Sequence, residues 1–237
     1  MDVQDKMTEI ALQARRTELG INEGTSLRVM EAFYTLQGEG AYQGQAAYFI
    51  RLGGCDVGCV WCDVKDSWDA QAHPVKSIDQ ILEEALAEIK TFTGLASGQS
   101  AAEKNIIAVI TGGEPLMYEL GPLSKALHEA GFRVHIETSG AYPLSGDIDW
   151  VCVSPKKFKA PLPDVLAKAN ELKIVVFNKS DFRWAEEHAA QVSADCRLFL
   201  QPEWSKEKQM LPLMIEYVKS NPQWNLCVQV HKYINVP

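Results

Sequence analysis

Three cysteines stand in one short run, Gly54-Cys55-Asp56-Val57-Gly58-Cys59-Val60-Trp61-Cys62-Asp63, with the spacing C-x3-C-x2-C. Thiolates so placed on a single loop can hold three corners of a cubic [4Fe-4S] cluster. One iron then lacks a protein ligand and can bind a reactant, whereas a fully ligated cluster can only pass electrons. Structural zinc wants four ligands, commonly as two pairs. No second pair is present, and the only nearby histidine is His73, which follows a polar stretch. A redox C-x-x-C pair needs only Cys59 and Cys62 and leaves Cys55 unexplained. The open-corner cluster uses all three. Its vacant iron can chelate the amino and carboxylate groups of S-adenosylmethionine, and one electron from the cluster then splits the sulfonium to give a deoxyadenosyl radical. Such a cofactor carries the difficult step while the polypeptide supplies placement, so no side chain is assigned a catalytic role of its own.

Other polar groups suit the rest of such a site. The glycines of Thr111-Gly112-Gly113-Glu114 permit close backbone approach, and their peptide groups, with Glu114, can meet the ammonium of a methionine moiety. Glu137, Ser139, Ser154 and Lys156 can reach ribose hydroxyls, adenine or a carboxylate; each could equally be a cap or a surface charge. Gln37 and Glu39 of Leu36-Gln37-Gly38-Glu39-Gly40, a turn read as lying beside the cysteine loop, offer donors and acceptors to a polar ring. Arg51 can clamp a carboxylate. The plainer alternative is a hairpin turn with Arg51 in a salt bridge. His231 is read as part of a terminal strand, where a satisfied core histidine is commoner than a ligand, and the Pro237 carboxylate can accept hydrogen bonds.

These groups need a frame. The 237 residues, 46% hydrophobic, suffice for a well-buried core. A net charge of −8 argues against broad nucleic-acid binding. No apolar run approaches a membrane span, and the N-terminus lacks a signal pattern; a cytoplasmic location is expected. Residues 1–25 read as a helix-prone N-terminal extension and 26–237 as one domain. Cys152, Cys196 and Cys227 sit singly in apolar runs and read as buried free thiols. Strands are expected at Val29–Tyr34, Ala46–Leu52, Asn105–Thr111, Phe132–Thr138, Trp150–Val153, Leu172–Phe177, Arg197–Gln201 and Trp224–Tyr233. Helices are expected after a Ser77/Gln80 capping box, where Ile78, Ile81, Leu82, Ala85, Leu86 and Ile89 repeat, and at Leu116–Ala130, Asp181–Val192 and Lys206–Ser220. Thr91–Lys104 reads as a tolerant surface loop. Repeated β–α units give a parallel sheet. Five polar segments, four of them Thr111–Pro115, Glu137–Gly140, Ser154–Lys156 and Gln201–Glu203 and the fifth the cysteine loop, follow strand ends. In a parallel barrel those ends share one face, where such folds carry their sites.

From about Glu31 to Pro237 the chain resembles the 7-carboxy-7-deazaguanine synthase family of radical S-adenosylmethionine enzymes. The resemblance rests on Thr35-Leu36-Gln37-Gly38-Glu39-Gly40, Phe49-Ile50-Arg51-Leu52, the cysteine trio, Val109–Pro115, Ile136–Gly140, Val153–Lys156 and Gln229-Val230-His231-Lys232-Tyr233. It implies a shortened (β/α) barrel of the radical SAM type, a homodimer, and an electron donor such as flavodoxin. The implied reaction is ring contraction of 6-carboxy-5,6,7,8-tetrahydropterin to 7-carboxy-7-deazaguanine with loss of ammonia, on the route to queuosine. Leu36, Gln37, Gly38, Glu39, Arg51, Thr111, His231 and Pro237 would hold the pterin. Trp61, Gly113, Glu114, Ser154, Pro155, Lys156, Gln201 and Glu203 would face S-adenosylmethionine. Where the family carries a threonine that helps bind Mg2+, this chain has Val64, which offers a hard cation no oxygen; weak or dispensable Mg2+ is expected. The alternative within the radical enzymes is an activase that places a glycyl radical on a partner protein through an open groove.

Overall fold

The computed structural model describes residues 24–94 and 100–237; the expected N-terminal helix lies outside them, apart from its last residues. One nine-stranded open sheet runs in the order β3-β1-β2-β4-β5-β6-β7-β8-β9. Its strands are β1 (Ser26–Leu36), β2 (Ala46–Leu52), β3 (Val75–Ser77), β4 (Ile107–Gly112), β5 (Arg133–Thr138), β6 (Trp150–Val153), β7 (Glu171–Val176), β8 (Arg197–Pro202) and β9 (Trp224–Leu226). β1 pairs antiparallel with β2 and β3, and every pair from β2 onward is parallel. The parallel run from β2 to β9 is the sheet that the alternation of elements implies, and the open sheet agrees with the shortened barrel that the family resemblance implies.

The helices are α1 (Ile78–Thr93), α2 (Gly121–Glu129), α3 (Pro163–Leu166), α4 (Asp181–Ala189), α5 (Glu207–Ser220) and α6 (Val230–Ile234). α1 starts at the expected capping box, with Ser77 and Gln80 each bonding the other's backbone N–H, and buries Ile78, Ile81, Ala85 and Ile89. Successive residues of a strand face opposite sides of its sheet. Ala108 and Ile110 of β4, Val134 and Ile136 of β5, and Leu172, Ile174 and Val176 of β7 all belong to one helix-covered core. The alternate residues, including His135, Glu137, Glu171 and Lys173, line cavities on the other face. A two-sided parallel sheet usually reads as continuous apolar sequence; polar residues at alternate positions mark a second face given over to a site.

Several boundaries differ from expectation. The expected helix at Leu116–Ala130 is split into a 3-10 turn at Pro115–Met117 and α2. Pro122 has no N–H to donate to the carbonyl of Tyr118 and fits only the first turn of a helix. The last strand stops at Leu226; Val230 N–H then donates to the Gly38 carbonyl (3.0 Å), and α6 carries His231. His231 is therefore on a short helix and not on a strand. α1 continues through Thr93 to Gly94, whose left-handed φ of 65° caps it, and a 3-10 turn at Ala101–Lys104 buries Ala101, so both described ends of the expected Thr91–Lys104 loop are structured, while 95–99 lie outside the described residues. β3 and α3, too short for a periodic signal, were not expected. Cys152, Cys196 and Cys227 are buried free thiols, as read. No helix among the described residues is long and apolar enough to cross a membrane.

Candidate active site

A cavity of about 490 Å³ opens at the C-terminal ends of the parallel strands, and all five polar segments reach it. Every residue expected from sequence to hold cluster, cofactor or pterin lines it except Pro155, which is buried between Ser154 and Lys156. The Gln37–Gly40 turn reaches the cavity from an unexpected side. β1 and β2 pair from Leu36 opposite Ala46, which puts the turn at the far end of β2 from the cysteine loop. It forms the floor of the site, and the cysteine loop forms its wall.

The cysteine loop is pinned at both flanks. Gly54 N–H donates to the Ser67 carbonyl (2.6 Å) and Cys55 N–H to that of Trp68 (3.2 Å). Asp56 accepts from Tyr142 Oη (2.5 Å) and pairs with Lys159 (3.0 Å). Gly113 and Glu114 donate to the carbonyls of Leu52 and Gly54, both at 2.9 Å. A Cβ on Gly113 would overlap the Gly54 carbonyl oxygen and approach Cys55 Cβ to 2.8 Å, so glycine is what lets this turn lie against the first cluster cysteine. Burial pushes the Cys55 thiol up to about 11 and raises that of Cys59; loading of a metal displaces those protons.

The donor set fits a cluster better than a single ion. Among the described residues no three Cys, His, Asp or Glu side chains converge closely enough for one metal ion, yet all three cysteines face the same cavity. Three thiolates on one loop that borders a cavity are the donor set of a cluster with one open corner. His73, the one candidate for a fourth zinc ligand, is outside the cavity, its Nε2 2.8 Å from the Asp66 carbonyl oxygen.

Glu114 has a structural partner set that sequence did not reveal. Its carboxylate accepts from Leu116 N (3.0 Å), Thr138 Oγ1 (2.5 Å), Ser139 N (2.8 Å) and Ser139 Oγ. It staples the Gly-Gly turn after β4 to the end of β5, and the turn's peptide groups are what it presents to the cavity. Across the cavity, Lys156 donates to Ser154 Oγ (2.6 Å) and lies 5.4 Å from the centre of the Trp61 ring; burial lowers its pKa. Glu203 accepts from Ser205 N (3.1 Å), capping the turn that follows β8.

The floor is a closed ring of hydrogen bonds. Gln37 Nε2 donates to Glu137 Oε1 (3.0 Å), Lys173 Nζ to Glu137 Oε2 (2.9 Å) and to Glu39 Oε2, and Glu39 N–H back to Gln37 Oε1 (3.1 Å). Gln229 Nε2 donates to Glu39 Oε1 (2.9 Å). Burial alone would raise the Glu39 carboxyl, but the Lys173 ammonium and these bonds hold it down at about 2. Burial lowers His231, which Glu39 partly offsets. The His231 ring packs on Gly38, where a Cβ would overlap it. Arg51 is in a salt bridge to Glu31 at 2.6 Å, the plainer alternative weighed for it, and also lines the cavity. Behind the floor a small cavity of about 10 Å³ is bordered by Tyr42, His135, Trp150 and Glu171. Lys173, Gln229 and Glu171 carry this floor, and sequence reasoning gave them no role. The available signal was Lys173 itself, a lysine inside the otherwise apolar run from Leu172 to Val176.

No protein-family model matches the chain. The 7-carboxy-7-deazaguanine synthase of Flavobacterium psychrophilum is 47% identical over 223 residues, covering 94% of this chain and 99% of that one. That of Synechocystis sp. is 44% identical over 211 residues, covering 89% and 94%. The crystal structure of QueE from Escherichia coli matches with a TM-score of 0.71 at 30% identity, covering 94% of this chain and 98% of that one. These relatives bear the name of a small-molecule synthase, and the glycyl-radical activase alternative finds no support among them.

Proposed function

The chain belongs to the 7-carboxy-7-deazaguanine synthase family, and on that premise we propose that it contracts the ring of 6-carboxy-5,6,7,8-tetrahydropterin to 7-carboxy-7-deazaguanine with release of ammonia. The observation that carries this reading is that a three-cysteine loop and a polar, hydrogen-bonded floor face one cavity. A cluster site and a ring-binding site are thereby within one small-molecule volume, with no groove needed for a protein substrate.

When bound, the [4Fe-4S] cluster and S-adenosylmethionine supply the electron and the hydrogen-abstracting radical. The chain's own groups place the reactants. Cys55, Cys59 and Cys62 hold the cluster; Trp61, the peptides of Gly113 and Glu114, Ser154, Lys156, Gln201 and Glu203 border the S-adenosylmethionine side, and Pro155 keeps the backbone of that segment buried. Leu36, Gln37, Gly38, Glu39, Arg51, Thr111, His231 and Pro237 border the pterin side. Arg51 supplies the charge for the pterin carboxylate, and Gln37 with Glu39 meet its nitrogen-rich edge. Gln37 and Lys173 are buried at the floor, where polar contacts are stronger than in open solvent. Val64 lines the site without a side-chain oxygen, so Mg2+ is not bound through this position. The resemblance further supports a homodimer and a flavodoxin-type donor.

Anaerobic incubation of reconstituted enzyme with reductant, S-adenosylmethionine and the carboxylated tetrahydropterin tests the reading. Formation of 7-carboxy-7-deazaguanine is expected; a cluster-loaded enzyme that cleaves S-adenosylmethionine but forms none of it refutes the assignment.

A further inference from the structure

We propose that Lys173 is a positioning residue of this site, whose buried ammonium locks Glu39 and Glu137 into one fixed acceptor surface for the N–H-rich edge of the bound ring. The inference rests on the pterin reading above and adds to it the device that shapes the floor. Lys173 sits at the inward register of β7, opposite Phe199 of β8, and donates to Glu39 Oε2 and Glu137 Oε2. Its side chain is 4% exposed, against 13% for Glu39 and 23% for Glu137. The cation is therefore the most buried of the three, and it borders the cavity together with both carboxylates.

This order decides its role. Two carboxylates brought together in a partly buried floor repel, and without a cation one must take up a proton or turn away. Either change removes an acceptor from the ring-binding surface. Gln37 completes the arrangement, since its amide donates to Glu137 and accepts from the Glu39 backbone, so a shift of either carboxylate moves all four groups. One positive charge against two negative ones leaves the floor with a net negative charge, suited to ring N–H and amino donors and unfavourable to a ligand presenting lone pairs there.

The test compares wild type with Lys173→Met, Lys173→Arg and the double variant Lys173→Gln/Glu137→Gln. The readouts are pterin affinity by fluorescence titration, iron content, and S-adenosylmethionine cleavage without pterin. Lys173→Met is expected to weaken pterin binding by about 30-fold or more, the scale seen when one partner of a buried, hydrogen-bonded charge pair is removed. Iron content and pterin-independent cleavage should stay near wild type. Lys173→Arg, which restores the charge, should bind pterin more tightly than Lys173→Met. Unchanged pterin affinity in folded Lys173→Met overturns the proposal, as does a parallel loss of pterin-independent cleavage, which would mark a general structural role. Should Lys173→Met fail to fold, the double variant decides. It relieves the charge conflict, so a folded double variant that binds pterin as well as Glu137→Gln alone supports the proposal, whereas failure to fold or weaker binding than Glu137→Gln overturns it. A wild type that cleaves S-adenosylmethionine but neither binds nor converts the pterin removes the functional reading and this inference together. Wild-type turnover with an unaffected Lys173→Met removes the inference alone.

Discussion

Glu114→Gln is the substitution whose effect the geometry fixes most closely. The carboxylate is 1% exposed, and each oxygen takes one backbone N–H and one hydroxyl. Oε1 accepts from Leu116 N and Thr138 Oγ1, and Oε2 from Ser139 N and Ser139 Oγ. An amide places an NH2 group at one of these positions, whichever way it turns. The facing hydroxyl can rotate and accept from it; the facing backbone N–H cannot. One buried N–H is therefore left without an acceptor, a cost of about 1–3 kcal/mol, and the surviving bonds lose their charge assistance. The sum is about 3 kcal/mol, which in a chain of this size lowers Tm by roughly 6–12 °C. Urea and thermal unfolding of the metal-free protein measure this apart from cluster loss, with the exposed Glu129→Gln as a control expected to stay within about 0.5 kcal/mol. A Glu114→Gln protein as stable as the control would show that the carboxylate does not staple the two strand ends, and the explanation of the Gly112-Gly113 turn would fall with it.

Three other outcomes are expected. His135 is buried, its Nε2 without a partner among the described residues, and burial, followed by the neighbouring Arg133, holds its pKa down at about 4. The unfolded chain protonates there near 6.5, so acidification from pH 7 to 5 favours unfolding by about 2 kcal/mol through this residue; His135→Gln should flatten that part of the stability–pH curve, and an unaltered slope contradicts the argument. Cys59→Ala should reduce iron far below about four per chain after anaerobic reconstitution while circular dichroism stays native-like; loss of all soluble protein would point to a structural site. Turnover should change less than about twofold when Mg2+ is chelated, because Val64 supplies no hard oxygen, and Val64→Thr should introduce a dependence; a strict requirement in wild type would show that other groups bind the ion.

Much of the site was legible because its chemistry is local. The cysteine spacing, the Gly112-Gly113 pair and the polar ends of β4, β5, β6 and β8 each carry their meaning within a few residues. What could not be read depends on long-range register. Lys173 joins Glu39 and Glu137 across separations that no local pattern encodes, and Gln229 reaches Glu39 only because the chain leaves β9 at Leu226 and turns to the Gly38 carbonyl. The same turn moved His231 from an expected strand onto α6. The Gln37–Gly40 turn was placed beside the cysteine loop because the two are close in sequence, whereas antiparallel pairing of β1 and β2 puts the length of β2 between them. Glu114 shows a third kind of miss. Its position after β4 marks it as a polar residue at a strand end, but its partners Thr138 and Ser139 come from another strand end.

Electron paramagnetic resonance of the anaerobically reduced, reconstituted protein before and after addition of S-adenosylmethionine bears most directly on the central claim. With Cys55, Cys59 and Cys62 as the sole protein ligands, the spectrum of the reduced cluster should shift when S-adenosylmethionine binds, and nitrogen-15 in its amino group should appear as a hyperfine coupling to the cluster. A cluster spectrum indifferent to the added compound, or a protein that holds no iron, would contradict it.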